Sequence, residues 1–234
     1  MLFDLYNFII FTNMNQEKKK FLNAVFLPFI LLAIMWLIKL AETAFGIKLV
    51  FLGIQPLSLN GLQGILLSPF IHGDFEHLMA NSIPFLVLGT ALIYFYRGIS
   101  IKVLIGIWFL SGVWTWFGGR ESWHIGASGI IYGLSSFLFF SGVIRKDSRL
   151  AALALIVAFL YGSLIWGVFP DFLPKKNISW EGHLGGFVSG IIMAIYYRKS
   201  GPQPRKYSWD YEEEEEDDES DEDAYWKKPN VNVS

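Results

Sequence analysis

The nine residues from Gly126 to Leu134, GASGIIYGL, set a serine between two glycines at the mouth of an apolar run that continues as SSFLFFSGVI to Ile144. A hydroxyl so placed demands a reason, because polar groups in a segment apolar enough for a bilayer are costly and tend to carry function. Tyr132 follows Ser128 by four residues and shares its helical face. A soluble-hydrolase elbow of the Gly-x-Ser-x-Gly type is excluded, since position 130 is Ile and no alternating strand precedes the serine.

The rest of the chain matches that apolar run. Of 234 residues, 53% are hydrophobic and 17% aromatic, with a mean hydropathy of +0.40. That is too apolar for ordinary soluble domains. A crossing helix needs about 20 mostly apolar residues, fewer where the bilayer thins. Six stretches qualify, at roughly 21–41, 76–96, 101–117, 125–144, 150–168 and 182–197. The expected fold class is therefore all-α, a polytopic membrane protein built as a six-transmembrane-helix bundle.

Charge orients it. Residues 1–206 hold 17 Lys and Arg against 9 Asp and Glu, whereas 207–234 hold 2 against 12. The links YRGISIK and IRKDSR, after the second and fourth stretches, are short and basic. Lys18, Lys19 and Lys20 precede the first stretch, and Arg198 and Lys199 follow the last. The positive-inside rule puts all of these in the cytoplasm together with both termini. The opposite side carries only Lys48, Arg120, Lys175 and Lys176, with Lys39 near the end of the first span. The expected organisation is a cytoplasmic or interfacial segment over 1–20, a membrane domain over 21–199 and an acidic tail over 200–234, disordered by its self-repulsion. With no signal-peptide or transit-peptide pattern, the expected location is a bacterial inner membrane. The outer segment 45–75, broken by Gly, Pro and Asn, reads as a loop with a short helix, and GVFPDFLPKKNISW over 167–180 reads as a cap.

With this orientation the second, fourth and sixth spans all begin on the outer side, and each begins with its unusual polar residues: HGDFEHLMAN, HIGASG and EGHLGG. His72, His77, Asn81, Ser128 and His183 then share one depth, and His124 lies on the same side. His183, Gly186 and Gly190 fall on one helical face, and Gly129 with Gly133 makes a small-residue edge beside Ser128. Two such edges allow the fourth and sixth spans to meet backbone to backbone, bringing Ser128 and His183 within hydrogen-bond reach. Each piece has a plainer reading beside this one: packing glycines, a polar clasp between helices at His77 and Asn81, a core tyrosine.

Chemically, a serine attacks only when a base takes its proton, and a neutral His183 would be that base. No third acid is in place, because Glu181 lies two residues from His183 and about 200° round the helix. The pattern is a Ser-His dyad with Tyr132 stacked on the imidazole. Backbone N–H groups at the first turn after Ser128, with His77 and Asn81, could receive a developing oxyanion. A hydrolase also needs water, which explains a nucleophile at the mouth of the span. The chain has no cysteine, so no thiolate site or cysteine nucleophile exists.

Three motifs in order, His-x4-His-x3-Asn from His72, Gly-x-Ser-Gly-x2-Tyr from Gly126 and His-x2-Gly-x3-Gly from His183, resemble those of the rhomboid intramembrane serine proteases over most of 21–197. The resemblance implies Ser128 as nucleophile and His183 as general base. It implies His77, Asn81 and the Ser128 N–H as oxyanion donors, with His72 supporting the outer loop and Tyr132 packed on His183. It implies transmembrane segments of other membrane proteins as substrates, cut near a small residue where the helix unwinds, with membrane lipids as surroundings, no metal or cofactor, and no nucleic-acid partner. One departure stands out: many members carry a Trp-Arg pair where this chain has Gln63-Gly64. The alternatives are an inactive relative that binds transmembrane segments, which usually lacks the serine or histidine, and a small polytopic transporter, which would need ionisable groups at mid-membrane and helix repeats.

Overall fold

In a computed structural model the chain is described over residues 2–160 and 179–201. Seven α-helices occur among the described residues: α1 Leu2–Phe45, α2 Gly64–Leu67, α3 Phe75–Phe95, α4 Ser100–Gly118, α5 Ser128–Ile144, α6 Ser148–Leu160 and α7 Trp180–Tyr196. They contain no strand, only one antiparallel bridge between Ile54 and His124. The all-α class is what the apolar stretches call for, and the segments Asn15–Phe45, Phe75–Phe95 and Ser100–Gly118 are long and apolar enough to cross a membrane. Helix α5 is apolar but has 17 residues, about 25 Å at 1.5 Å per residue.

Several boundaries differ from expectation for local reasons. Helix α1 runs without a break from Leu2 to Phe45, so no helix end separates 1–20 from the first span. The expected 125–144 helix begins at Ser128, because Gly126 adopts φ +105, outside helical space. Helix α3 begins one residue early, at Phe75, where Asp74 caps it by accepting the His77 backbone N–H at 2.7 Å. Residues 161–168 of the expected fifth span, the 167–180 cap apart from Ser179 and Trp180, and the tail beyond Gly201 lie outside the described residues.

The apolar core is formed by α3, α4 and α5, with Leu78, Phe85, Leu92, Ile107, Ile130 and Leu134 buried. Helix α1 packs on α3 where Pro28 faces Gly89: a Cβ at Gly89 would lie 3.1 Å from the proline ring. The other side of α1 exposes Phe26, Phe29 and Leu37, the surface expected of a lipid-facing helix. At the end of α5 far from Ser128, buried Arg145 donates to Ser141 Oγ at 3.0 Å and to the carbonyls of Tyr197 and Ser200. Tyr96 Oη donates to the same Ser141 hydroxyl at 2.9 Å. Carbonyls at the end of α7, which have no partner within the helix, are thereby satisfied.

Candidate active site

The pairing of α5 with α7 brings Ser128 and His183 together, and glycine makes that pairing possible. A Cβ built on Gly186 would fall 1.9 Å from the Gly129 carbonyl oxygen, and one on Gly190 would fall 2.1 Å from that of Gly133. Only hydrogen fits at these positions, so the two backbones touch. Ser136 Oγ locks the contact by donating to the Phe187 carbonyl of α7 at 2.8 Å.

At the mouth of this seam Ser128 Oγ lies 2.9 Å from His183 Nε2. With the ring neutral and its proton on Nδ1, the hydroxyl donates and the imidazole accepts. The Tyr132 ring stacks on the imidazole, with centroids 4.2 Å apart and planes 13° from parallel. His183 is 8% exposed, so its imidazole is held within the bundle beside the serine. Ser179 caps α7, its Oγ accepting the Gly182 N–H at 3.3 Å, which sets the helix start four residues before His183.

Across from the serine, α3 brings its polar residues over Gly126. A Cβ there would lie 2.7 Å from His77 Cε1 and 3.5 Å from Asn81 Nδ2, so the imidazole and the amide cover the backbone two residues before Ser128. Asn81 Nδ2 donates to His72 Nε2 at 3.1 Å, and the His72 and His77 rings meet edge to face at 5.0 Å. His72 must be neutral to accept. Its pKa is pushed down to about 3, first by burial and then by His77, with the Phe70 backbone opposing. One amide hydrogen of Asn81 is thus used by His72, and the amide group carries a second. All ten residues singled out above (His72, His77, Asn81, Gly126, Ser128, Gly129, Tyr132, His183, Gly186 and Gly190) lie on the α3–α5–α7 side of the bundle around this point.

Glu181 makes no third member. Its Oε1 lies 3.6 Å from Arg120 Nε and 3.4 Å from the Arg120 backbone nitrogen, and its Oε2 is buried with no partner among the described residues. Neither oxygen reaches His183. A cavity of about 30 Å³ opens beside Ser128, lined in part by Trp108, Ser111, Thr115, His124 and Ser179. It is polar and large enough for one or two water molecules, and buried Trp108 Nε1 has no partner among the described residues.

Sequence reasoning missed part of this surrounding shell. His124 Nδ1 lies 2.6 Å from Ser179 Oγ and its Nε2 3.0 Å from the Arg120 carbonyl, which ties the loop after α4 to the start of α7. Ser179 was legible as a cap, a serine followed by an acidic first turn. The spacing around His124 does not give its tie to α7, because Ser179 is 55 residues away and the bridge to Ile54 runs across the outer loop. The departure at Gln63-Gly64 has a physical account: a Cβ on Gly64 would lie 2.1 Å from the Gly53 carbonyl oxygen, and Gln63 Nε2 donates to the Phe51 carbonyl at 3.1 Å. The loop closes on itself by backbone contact that a larger residue at 64 would break.

An all-helical membrane bundle with these three motifs defines the class. The sequence profile of the Rhomboid domain matches residues 60–200. An uncharacterized protein of Mycobacterium bovis is 35% identical over 177 residues, 73% of each chain, and one of Mycobacterium leprae is 33% identical over 179 residues, 74% of this chain and 70% of its own. A protein of Acanthamoeba polyphaga mimivirus named "Putative rhomboid protein L523" is 27% identical over 137 residues, 56% of this chain and 73% of its own. The chain belongs to the rhomboid family and is an integral membrane protein.

Proposed function

We propose that the chain is an intramembrane serine endopeptidase that cleaves transmembrane segments of other membrane proteins through a Ser128–His183 dyad. The observation that carries this reading is the 2.9 Å contact between Ser128 Oγ and His183 Nε2, with Tyr132 stacked on the ring. His183 takes the serine proton as Oγ attacks the scissile carbonyl, and later returns it to the leaving amine. The oxyanion forms beside Gly126, where the first-turn N–H groups of α5 point and where His77 and Asn81 converge. Water for the second half-reaction comes from the cavity at Ser111 and Thr115. Tyr132, rather than an acid, holds the imidazole, since Glu181 is occupied by Arg120.

In the same proposal six spans cross a bacterial inner membrane with both termini in the cytoplasm and the dyad near the outer side, as the basic links require. Substrates are membrane proteins whose transmembrane segment unwinds locally, because a helical peptide bond is shielded from attack by its own backbone hydrogen bonds.

The test is purified protein in liposomes with a transmembrane reporter and a fluorophosphonate probe. Wild type should cut the reporter and label at Ser128; Ser128→Ala should do neither, and His183→Ala should lose labelling. Full cleavage by Ser128→Ala sinks the reading. A folded wild type that neither labels nor cuts, yet co-purifies with the reporter, replaces it with the inactive, segment-binding alternative.

A further inference from the structure

The dyad is held by the α5–α7 seam, but the oxyanion side is held by something else. His77 and Asn81 sit on α3, while His72, the acceptor that fixes the Asn81 amide, belongs to the loop over 46–74. Loops of this length are mobile unless tied, and the Gly53–Gly64 contact and the Gln63 bond tie only the loop's middle. Its two ends are tied from α1.

Lys39, near the end of α1, donates from Nζ to the carbonyls of His72 at 3.0 Å and Gly73 at 2.9 Å. Its third ammonium hydrogen goes to Glu42 Oε2 at 3.3 Å. Glu42 Oε1 in turn accepts the backbone N–H of Leu49 at 2.7 Å. One ion pair thus grips both ends of the loop, Leu49 at its start and His72-Gly73 at its finish. The pair is sheltered, the Lys39 and Glu42 side chains being 12% and 7% exposed, so its bonds are not diluted by water as a surface pair's would be. The chain of contacts continues from His72 Nε2 to Asn81 Nδ2, and a Cβ on Gly126 would lie 3.5 Å from that amide nitrogen.

We propose that Lys39, braced by Glu42, is a positioning residue for the oxyanion arm: it sets the height of His72 and through it the aim of the Asn81 amide. This rests on the protease reading above. Lys39 touches no reacting atom, so its effect passes through Asn81 and appears in the transition state and not in substrate binding. The loop's own cation, Lys48, is exposed, and while the Gly126 N–H holds the Ser68 carbonyl at 2.9 Å, the carbonyls of His72 and Gly73 themselves are gripped from α1. The charge suits the task as well: a fixed ammonium near the His72 carbonyl disfavours a protonated imidazole and keeps Nε2 an acceptor.

The experiment is steady-state cleavage of the transmembrane reporter in liposomes by wild type, Lys39→Met, Lys39→Arg, Asn81→Ala and the Lys39→Met/Asn81→Ala double variant. Misplacing a catalytic donor by a fraction of an ångström to 1 Å costs about 10- to 100-fold, so Lys39→Met should lose that much kcat with KM within about twofold. Lys39→Arg, which keeps two donors on one cation, should recover most of the loss. In the Asn81→Ala background Lys39→Met should cost less than about twofold, because the donor it aims is gone. Multiplying losses in the double variant, or a change confined to KM, overturns the proposal, as does an unaffected Lys39→Met. Should Lys39→Met fail to fold, Glu42→Gln takes its place with the same expected kcat loss, again absent in the Asn81→Ala background, and the same refutation. A wild type that neither cuts nor labels overturns the protease reading itself, which separates the two failures.

Discussion

Gly186→Ala tests whether backbone contact sets the catalytic distance. The new Cβ would start 1.9 Å from the Gly129 carbonyl oxygen, and ordinary contact begins at 3.4 Å, so α5 and α7 must part by about 1.5 Å locally. Gly129 is the residue after Ser128, and His183 lies one helical turn before Gly186, so the displacement reaches both partners directly. The Oγ–Nε2 distance of 2.9 Å would then pass the roughly 3.5 Å beyond which proton transfer through one hydrogen bond fails. Loss of a positioned general base costs about 100- to 10,000-fold, whereas the stability cost of overpacking is only about 1–3 kcal/mol. We therefore expect Gly186→Ala to remain folded by thermal unfolding while reporter cleavage and fluorophosphonate labelling fall together by at least about 100-fold. Gly98→Ala, at a glycine with no atom within 4 Å of its added Cβ, is the control and should retain full rate. If Gly186→Ala kept half of the wild-type rate, the helices would have slid without parting, and glycine contact would not be what holds the dyad.

Three further outcomes follow from the same geometry. Asn81→Ala should lower kcat by about 10- to 1000-fold with KM little changed, as loss of an oxyanion donor does; unchanged turnover removes Asn81 from the oxyanion hole. Glu181→Gln should stay within about fivefold of wild type in cleavage rate, because its carboxylate faces Arg120; a loss near that of His183→Ala would make it the third member of a triad. His72 has a folded pKa of about 3 against 6.5, so the unfolded chain takes its proton first as pH falls. The thermal stability advantage of wild type over His72→Asn should be complete above about pH 6.5 and shrink towards pH 3, and a wild-type advantage that grows on acidification would contradict a buried neutral ring.

How much of this was legible beforehand divides along the range of the interactions. Each of the six apolar stretches carries helix among the described residues, because hydrophobicity and length act locally, and the ends of α3, α4 and α7 fall within two residues of expectation. The start of α5 was misplaced because Gly126 at φ +105 is a backbone state that composition does not announce. Helix α1 continues through the triple lysine at 18–20, because lysines continue a helix readily and only change which solvent it meets. At the site, Ser128, His183, Gly186 and Gly190 stood out because helical periodicity puts them on facing edges. His124, Lys39 and Glu42 did not, since each acts on backbone or side chains more than thirty residues away or across a loop whose path cannot be read from spacing; Ser179 carried a local cap signal, but its spacing gave no hint of its contact with His124.

That division has a mechanistic consequence. In the proposed protease the two halves of the site are carried by different parts of the fold: nucleophile and base by the glycine seam of α5 and α7, oxyanion donors by α3 and a loop gripped from α1. The seam has no adjustable part, since backbone meets backbone at Gly129–Gly186 and Gly133–Gly190. The oxyanion side depends on a buried ion pair and one histidine–amide bond, side-chain contacts rather than backbone ones. A perturbation at the seam should therefore abolish nucleophile labelling and cleavage together, whereas one at Lys39, His72 or Asn81 should leave Ser128 hydrogen-bonded to His183 and reduce turnover by an amount that depends on how much oxyanion charge the substrate develops. An activated ester, whose leaving group departs early, should be less sensitive to those three residues than a peptide bond, and equal sensitivity would mean that the two halves are not separately held.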